Sequence, residues 1–263
     1  MAKVVVTGST RGIGLGLVKE FRRLGHDVVV SSRGQAAVDA AVAEVRASPG
    51  AGAVVGQACD VSQETAVQAL WDRAVAELGG VDIWINNAGL AGPRKNIAEL
   101  TLAEMKPVID ANIWGMIWGT RIPLAGMQAR GQGKIFNFEG FGSDGMSAPG
   151  LTVYGLTKRA LTYFTRSVNK EIAPSPVLLG TISPGIVVTD LLEESKDADP
   201  ARWEKTRKIY NILADRVETV VPYIAAEVLK AEKPGAAIRW LTTPKAALRF
   251  MTAGFTKRKV MPD

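Results

Sequence analysis

The chain has 263 residues, enough for one large domain with a sizeable core, and 47% of them are hydrophobic. Its formal net charge is +6, but seven basic residues against one acidic residue in 233–263 account for that excess. Basicity confined to one end argues against a nucleic-acid binder, which spreads it along a face. A single cysteine, Cys59, excludes an internal disulfide framework, and no apolar run is long enough to cross a bilayer.

Apolar runs alternate with longer amphipathic stretches along the chain. The runs predict strands at 3–7, 27–31, 53–58, 82–85, 134–138, 177–182 and 236–241. Helical spacing predicts helices near 14–24, 35–47, 63–78, 101–128 and 153–172. Continuously apolar strands indicate a sheet buried on both faces. The alternation therefore predicts a Rossmann-type doubly wound parallel α/β sheet of about seven strands, with helices on both faces, in a single domain over 1–263.

After the sixth predicted strand the pattern changes. Residues 190–229 show no strand pattern and are first polar, then amphipathic, which predicts inserted helices near the carboxyl edge of the sheet. Ligands bind at that edge in such folds, so 190–216 is a candidate substrate lid and 216–230 a helical cover for the sheet.

The basic end of the chain, 244–263, has apolar residues at helical spacing. This pattern predicts an amphipathic tail that could contact an anionic membrane surface. The alternative is that the tail docks on the protein's own core or on a second subunit.

The stretch TGSTRGIG at 7–14 follows the first strand and opens the first helix. Its glycines permit a tight turn and let the backbone approach a pyrophosphate, while the helix N-terminus presents free N–H groups to that anion. Three glycines alone are weak evidence, but the strand–turn–helix context is the one this motif requires. The predicted dinucleotide-binding residues are Gly8, Ser9, Thr10, Arg11, Gly12, Ile13 and Gly14.

The second strand ends in VVVSSRG and has no carboxylate at its end. A carboxylate there would accept a hydrogen bond from the ribose 2′-hydroxyl of NAD. Ser32 and Arg33, with Arg11 of the glycine loop, instead suit the 2′-phosphate of NADP, because guanidinium groups bind phosphate oxygens in a bidentate manner. NADP(H) is therefore the predicted cofactor.

Four motifs together resemble those of the short-chain dehydrogenases/reductases: TGSTRGIG, NNAG at 86–89, YGLTK at 154–158 and SPGIVVTD at 183–190. They come in the family's order and spacing, and the resemblance covers nearly the whole chain. It implies an oxidoreductase acting on an alcohol–carbonyl pair, as a dimer or tetramer built on the helices near 101–128 and 153–172. It also implies cofactor contacts by Asp60, Val61, Asn87, Ala88, Gly89, Tyr154, Lys158, Pro184, Gly185, Val187 and Thr189.

Tyr154 and Lys158 are four residues apart on one predicted helix and so share a face. A free phenol has a pKa of about 10, and a cationic lysine and an oxidised nicotinamide nearby would favour the phenolate. Tyr154 can then give a proton to a carbonyl oxygen or take it back. The resemblance further implies that Lys158 binds the nicotinamide ribose and that Asn112 supports a proton-relay water.

The family's usual N-I-S-S becomes NFEG at 137–140, which leaves Gly140 where the catalytic serine is expected. The next hydroxyl is Ser143 in the glycine-rich loop GFGSDG. We predict that this loop bends Ser143 into the missing serine's place, where it hydrogen-bonds the carbonyl oxygen. The alternative is that Ser143 only caps a turn. No cluster has metal-ligand spacing, so no catalytic metal is predicted.

The segments IFNFEGFGSDG, YGLTKRAL and SPGIVVTDLL resemble one branch of the family, the chlorophyll b reductases of plants and algae. That resemblance implies NADPH-dependent reduction of the C7 formyl group of chlorophyll b, in a chloroplast. The loop glycines at 140, 142 and 145 would give a flat tetrapyrrole an open rim, or else they serve only the turns of the loop. One alternative is a reductase of another bulky apolar ketone or aldehyde, such as a steroid or quinone, in the cytoplasm. Another is an NADPH-binding sensor or assembly protein without turnover, which intact Asn112, Tyr154 and Lys158 argue against.

Overall fold

The computed structural model of the protein describes residues 1–189, 200–256 and 258–261, and only the backbone of 200–205. The strands in these residues are β1 (Lys3–Thr7), β2 (Asp27–Ser32), β3 (Val54–Ala58), β4 (Ile83–Asn86), β5 (Gly133–Phe138), β6 (Val177–Ser183), β7 (Val187–Val188), β8 (Asp215–Arg216) and β9 (Ala237–Arg239). Seven of them form a parallel sheet in the order β3-β2-β1-β4-β5-β6-β9. The strand order reverses between β1 and β4, so a ligand crevice is expected at the carboxyl ends of these strands.

Helices cover both faces of this sheet. They are α1 (Gly12–Arg23), α2 (Gln35–Ala47), α3 (Glu64–Leu78), α4 (Leu102–Ile109), α5 (Gly115–Arg130), α6 (Thr152–Glu171), α7 (Pro200–Leu213), α8 (Val217–Lys230) and α9 (Thr243–Thr252). One core cluster contains Phe21 of α1 and Ile224 of α8, and the other contains Leu70 of α3 and Ile122 of α5. Two covered faces explain the continuously apolar strands, and the predicted doubly wound sheet is confirmed.

The predicted helix over 101–128 is wrong in one respect, because it is interrupted. Between α4 and α5 lies a π-helical segment, Asp110–Trp114, in which the N–H of Gly115 donates to the carbonyl of Asp110. This i to i−5 bond adds one residue to the turn, and such insertions often occur at functional sites. The amphipathic pattern continues through the segment, so hydrophobic spacing alone gives no sign of it.

A second correction concerns 190–229, where no strand was predicted. The two residues of β8 pair in parallel with β7. Two residues are too few to show the alternation of apolar and polar side chains, so the sequence pattern does not predict this strand. Of the candidate lid, 190–199 lie outside the described residues, whereas 217–230 form helix α8 over the sheet as expected.

The C-terminal segment docks on the body of the protein. Two of its basic residues face Asp215 of β8: Arg249 Nη1 lies 2.8 Å from Oδ2, and Arg258 Nη2 lies 2.6 Å from Oδ1. The amide Oδ1 of Asn211 also accepts hydrogen bonds from the backbone N–H groups of Val260 and Met261, each at 2.9 Å. Across the described ranges, no helix is both long and apolar enough to span a membrane.

Candidate active site

The glycine loop joins β1 to α1 and leaves no room for a side chain at Gly8 or Gly14. Gly8 has a φ of +65°, and a Cβ added to Gly14 would lie 2.3 Å from the Gly8 carbonyl oxygen. The side-chain amide of Asn87, just after β4, donates to the carbonyls of Thr7 and Gly8 at 2.9 Å each. The loops after β1 and β4 are therefore held side by side, with the N-terminus of α1 open to an anion.

A cavity of about 580 Å³ opens beside this loop. The predicted cofactor residues that line it are Gly8, Thr10, Arg11, Gly12, Ile13, Gly14, Ser32, Arg33, Asp60, Val61, Asn87, Ala88, Gly89 and Thr189. Sequence reasoning missed Gly34, Cys59, Ser62, Leu90, Ala103, Lys106, Pro107, Asp110 and Ala111, which also line it. Five of these adjoin predicted residues in the chain, namely Gly34, Cys59, Ser62, Leu90 and Ala111, whereas no motif marks Ala103, Lys106 and Pro107 of α4. A glycine cradle, a helix N-terminus and this volume fit a nicotinamide dinucleotide.

The remaining predicted cofactor residues do not line this cavity. They are Ser9, Tyr154, Lys158, Pro184, Gly185 and Val187. The hydroxyl of Ser9 is fully buried, where it donates to the Val6 carbonyl at 2.7 Å and accepts from the Ser31 N–H at 2.9 Å. Ser9 thus ties the glycine loop to β2, and a direct contact of any of these six with a cofactor stays a prediction.

Asn112 lies inside the π-helical segment and connects three parts of the site. Its Oδ1 accepts from the Leu90 N–H at 2.8 Å, and its Nδ2 donates to the Leu90 carbonyl at 2.9 Å and to Thr157 Oγ1 at 3.0 Å. Thr157 is on α6, between Tyr154 and Lys158. The structure therefore brings Asn112 together with the loop after β4 and with α6, and its support of a proton-relay water stays a prediction.

The side chains of Tyr154 and Lys158 lie on one face of α6, with Lys158 Nζ 5.8 Å from the centroid of the tyrosine ring. Lys158 Nζ donates to the backbone carbonyl of Phe138, at the end of β5, at 2.9 Å. Burial raises the pKa of Tyr154 to about 12 and lowers the pKa of Lys158 to about 8. Burial alone accounts for the raised pKa of Tyr154, and a phenolate favoured by the lysine together with an oxidised nicotinamide stays a prediction.

Gly140 packs closely against the side chains of Tyr154 and Lys158. A Cβ added there would lie 2.4 Å from Tyr154 Oη and 3.1 Å from Lys158 Cε. Further along the loop, Gly142 has a φ of +98°, and its added Cβ would lie 2.6 Å from the Cα of Gly155 in α6. These two glycines therefore serve the close packing of the loop on α6, rather than an open rim for the substrate.

Ser143 is buried and holds the same loop on α6. Its Oγ accepts from the Gly140 N–H at 3.1 Å and donates to the Lys158 carbonyl at 3.2 Å. Its carbonyl accepts from Arg159 Nη1 at 3.0 Å and from Thr162 Oγ1 at 3.1 Å. A hydroxyl has one proton to donate, and here the Lys158 carbonyl receives it. Contact of Ser143 with a substrate oxygen stays a prediction.

Comparison with known proteins identifies the family of the chain. Residues 2–200 match the family model described as short chain dehydrogenase. The chain belongs to the short-chain dehydrogenase family, as its four motifs predicted, and it is an oxidoreductase of that family with a site for a nicotinamide cofactor.

Within this family, the chain is similar over most of its length to two proteins named chlorophyll(ide) b reductase. The chain is 35% identical over 276 residues to the probable chlorophyll(ide) b reductase NYC1, chloroplastic, of Arabidopsis thaliana, covering 99% of this chain but only 54% of that protein. It is 36% identical over 260 residues to chlorophyll(ide) b reductase NOL, chloroplastic, of Oryza sativa subsp. japonica, covering 95% of this chain and 74% of that protein. The chain thus spans about half the length of the first relative.

Among solved structures, the closed form of a serine dehydrogenase complexed with NADP+ superposes with a TM-score of 0.78 at 25% identity. The match covers 92% of this chain and 95% of that one.

Proposed function

We propose that the protein is an NADPH-dependent reductase of the C7 formyl group of chlorophyll b, which it converts to a hydroxymethyl group, and that it works in a chloroplast. The observation that carries this proposal is the similarity, over nearly the whole chain, to two relatives named chlorophyll(ide) b reductase and chloroplastic. The site also departs from the usual pattern of the family, because the loop that packs on α6 is rich in glycine and lacks the usual serine. Membership of the family alone does not account for this difference.

Reduction of the formyl group requires a proton at the carbonyl oxygen and a hydride at the carbonyl carbon. Bound NADPH would supply the hydride. Tyr154 supplies the proton, and its raised pKa keeps the phenol protonated, hence a donor, at neutral pH. Lys158 lies behind it as a cation that stabilises the phenolate left after transfer. Asn112 holds the loop after β4 against α6, so that the proton donor and the cofactor cavity keep their relative places.

The choice of NADPH over NADH depends on Arg33. This residue follows β2, lines the cofactor cavity beside Ser32 and is exposed. Arg33→Ala should weaken NADPH binding by roughly 10- to 100-fold, because a hydrogen bond to a charged group contributes about 1.5–3 kcal/mol. NADH binding, which offers no 2′-phosphate, should change little. The measurement is a fluorescence titration with each nucleotide.

Arg73→Ala is the matched control for Arg33. Arg73 is an exposed arginine of α3 that pairs with Glu77 at 3.1 Å, away from the cavity. It should leave both affinities unchanged. Equal losses for NADPH and NADH in Arg33→Ala would contradict recognition of a 2′-phosphate.

Two surfaces complete the proposal. The helices that the family resemblance assigned to a subunit interface have exposed apolar residues, namely Trp114 on the π-helical segment and Leu156 and Tyr163 on α6. We expect a homodimer or homotetramer built there.

We further expect peripheral contact with a membrane surface by α9, where Leu248 and Met251 are exposed. Apolar side chains would provide much of that contact, since Arg249 and Arg258 face Asp215.

The decisive experiment is an anaerobic incubation of the purified protein with chlorophyll b and NADPH, with the pigments then separated by chromatography. Chlorophyll b is supplied once in detergent and once in anionic vesicles. We expect a 7-hydroxymethyl product that is lost in Tyr154→Phe, because the proton donor is gone. If Ser143 also binds the substrate oxygen, Ser143→Ala should lower kcat by about 10²–10³-fold.

Three outcomes of this experiment would contradict part of the proposal, and each would favour a stated alternative. Turnover of a steroid or quinone but not of the pigment would favour a reductase of another bulky apolar carbonyl compound. Tight NADPH binding without turnover of any carbonyl would favour a sensor or assembly protein. Retention of kcat in Ser143→Ala, with lowered stability alone, would limit Ser143 to holding the loop.

A further inference from the structure

Lys158 is a buried cation with few partners. The residue is only 8% exposed, and its Nζ donates to the carbonyl of Phe138. Burying an ammonium is costly unless hydrogen bonds or an opposite charge stabilise it. Within the part of the chain that the structure describes, the charged side chain that acts on Lys158 is Glu139. The family's N-I-S-S motif has no acid at this position, and Glu139 takes no part in the proton transfer from Tyr154.

Glu139 is the first residue after β5, where the chain passes into the loop that packs on α6. Its N–H donates to the Ile182 carbonyl at 2.8 Å, so the ladder between β5 and β6 continues one residue beyond β5. Side chains alternate between the two faces of a strand. Asn137 faces α6, where its Nδ2 donates to Thr165 Oγ1 at 3.0 Å, and Phe138 packs into the core of the opposite face. This alternation ends beyond β5, because Gly140 also packs against α6, so Glu139 lies where the strand passes into the loop that packs on α6.

Both neighbours of Glu139 in the chain meet Lys158. The Phe138 carbonyl accepts the hydrogen bond from its Nζ, and Gly140 packs against its Cε. Glu139 itself is half-buried, so its charge is less screened by water than that of a surface carboxylate. We propose that Glu139 is a positioning residue of the active site, whose carboxylate keeps the Lys158 ammonium charged.

The negative charge of Glu139 acts on the pKa of Lys158 in one definite direction. Burial lowers the pKa of Lys158 to about 8, and the negative charge of Glu139 opposes that change. Among the described residues, Tyr154 on the same helix and Gly89 after β4 also lie beside Lys158. Neither of them is charged at neutral pH. Without the carboxylate the ammonium is lost at a lower pH, and the alkaline limb of the pH–rate profile moves in the same direction.

The test is Glu139→Gln, followed by two measurements on the full chain. In protein with ¹³C-labelled lysine, the Cε resonance of Lys158, assigned by its absence in Lys158→Met, reports the pKa directly. We expect that pKa to fall by about one unit, the lower range for loss of a nearby opposite charge. The alkaline limb of kcat/KM for carbonyl reduction should fall by the same amount. Glu139→Asp should restore most of both shifts.

Asp144→Asn is the control, because Asp144 is an exposed carboxylate of the same loop, and it should move neither quantity. A Lys158 resonance that titrates at the same pH in the wild type and in Glu139→Gln would overturn the proposal. So would a loss of activity without a change of pKa, since a merely structural role predicts that result. The resonance measurement needs no substrate, so its result is independent of whether the protein reduces chlorophyll b.

Discussion

Gly140 sets how closely the loop after β5 approaches the hydroxyl of Tyr154. In the family pattern this position is the catalytic serine, yet a Cβ added here would lie 2.4 Å from Tyr154 Oη, closer than non-bonded carbon and oxygen atoms can stand. Either the loop or the tyrosine must move to accept a side chain. The glycine therefore belongs to the geometry of this site, and a serine cannot simply be placed there to recover the ordinary enzyme.

Gly140→Ser should accordingly lower kcat although it restores the family's residue. We expect a loss of about 100-fold, since a displacement of about 1 Å of a catalytic group has that effect. Steady-state kinetics with the carbonyl substrate measure it. Gly254→Ser is the control, because an added Cβ at Gly254 meets no atom within 4 Å. Higher activity in Gly140→Ser than in the wild type would show that the loop adapts and that glycine is not required.

The identity of the site residues could largely be predicted from the sequence, but their contacts could not. Gly8, Gly14 and Asn87 belong to motifs whose spacing follows from local backbone chemistry, and they meet at the cofactor cavity as expected. The hydrogen bond of Ser143 to the Lys158 carbonyl depends on how the loop lies on α6. Such a contact between segments that only tertiary packing brings together has no local pattern.

At the scale of elements, long regular strands and helices were easier to predict than very short strands or a break within a helix. β1 and α2 have the predicted bounds, because β1 is an unbroken apolar run and α2 keeps one helical period. The π-helical segment Asp110–Trp114 was missed, since one extra residue in a turn leaves the apolar spacing intact. β7 and β8 were missed because two residues are too few for a period. The elements that local patterns cannot show are thus those next to the site.

At the scale of the whole molecule, Asp215 links the C-terminal segment to the strand pair beside the cofactor loop. Its side chain is 5% exposed and accepts from Arg249, Arg258 and, at 2.6 Å, Trp240 Nε1. Its N–H donates to the Ile186 carbonyl at 3.0 Å. The sequence left open whether the basic tail contacts a membrane surface or docks on the protein's own core, because counting charges cannot show that a distant acid pairs with two of these residues.

Asp215→Asn should destabilise the protein by about 3 kcal/mol, the lower range for breaking a buried pair, because Arg258 keeps a side-chain exposure of 28%. Urea unfolding at neutral pH measures the loss. Glu64→Gln, which breaks an exposed pair with Arg121, is the control and should cost at most about 1 kcal/mol. Equal losses in the two variants would mean that the tail contributes no more than a surface pair.

The pH dependence of that difference gives an independent check. Burial raises the pKa of Asp215, but hydrogen bonds from Arg249 and Trp240 and the two guanidinium charges outweigh it, so the net direction is downward. A group whose pKa is lower in the folded state stabilises that state above the ordinary carboxyl pKa of about 4, and the contribution is lost as the pH falls below it. The gap in unfolding free energy between the wild type and Asp215→Asn should therefore be constant from pH 8 to pH 5 and should narrow on further acidification. A gap that widens instead would mean that Asp215 is protonated in the folded protein, and the docking of the tail would then rest on its backbone hydrogen bonds to Asn211.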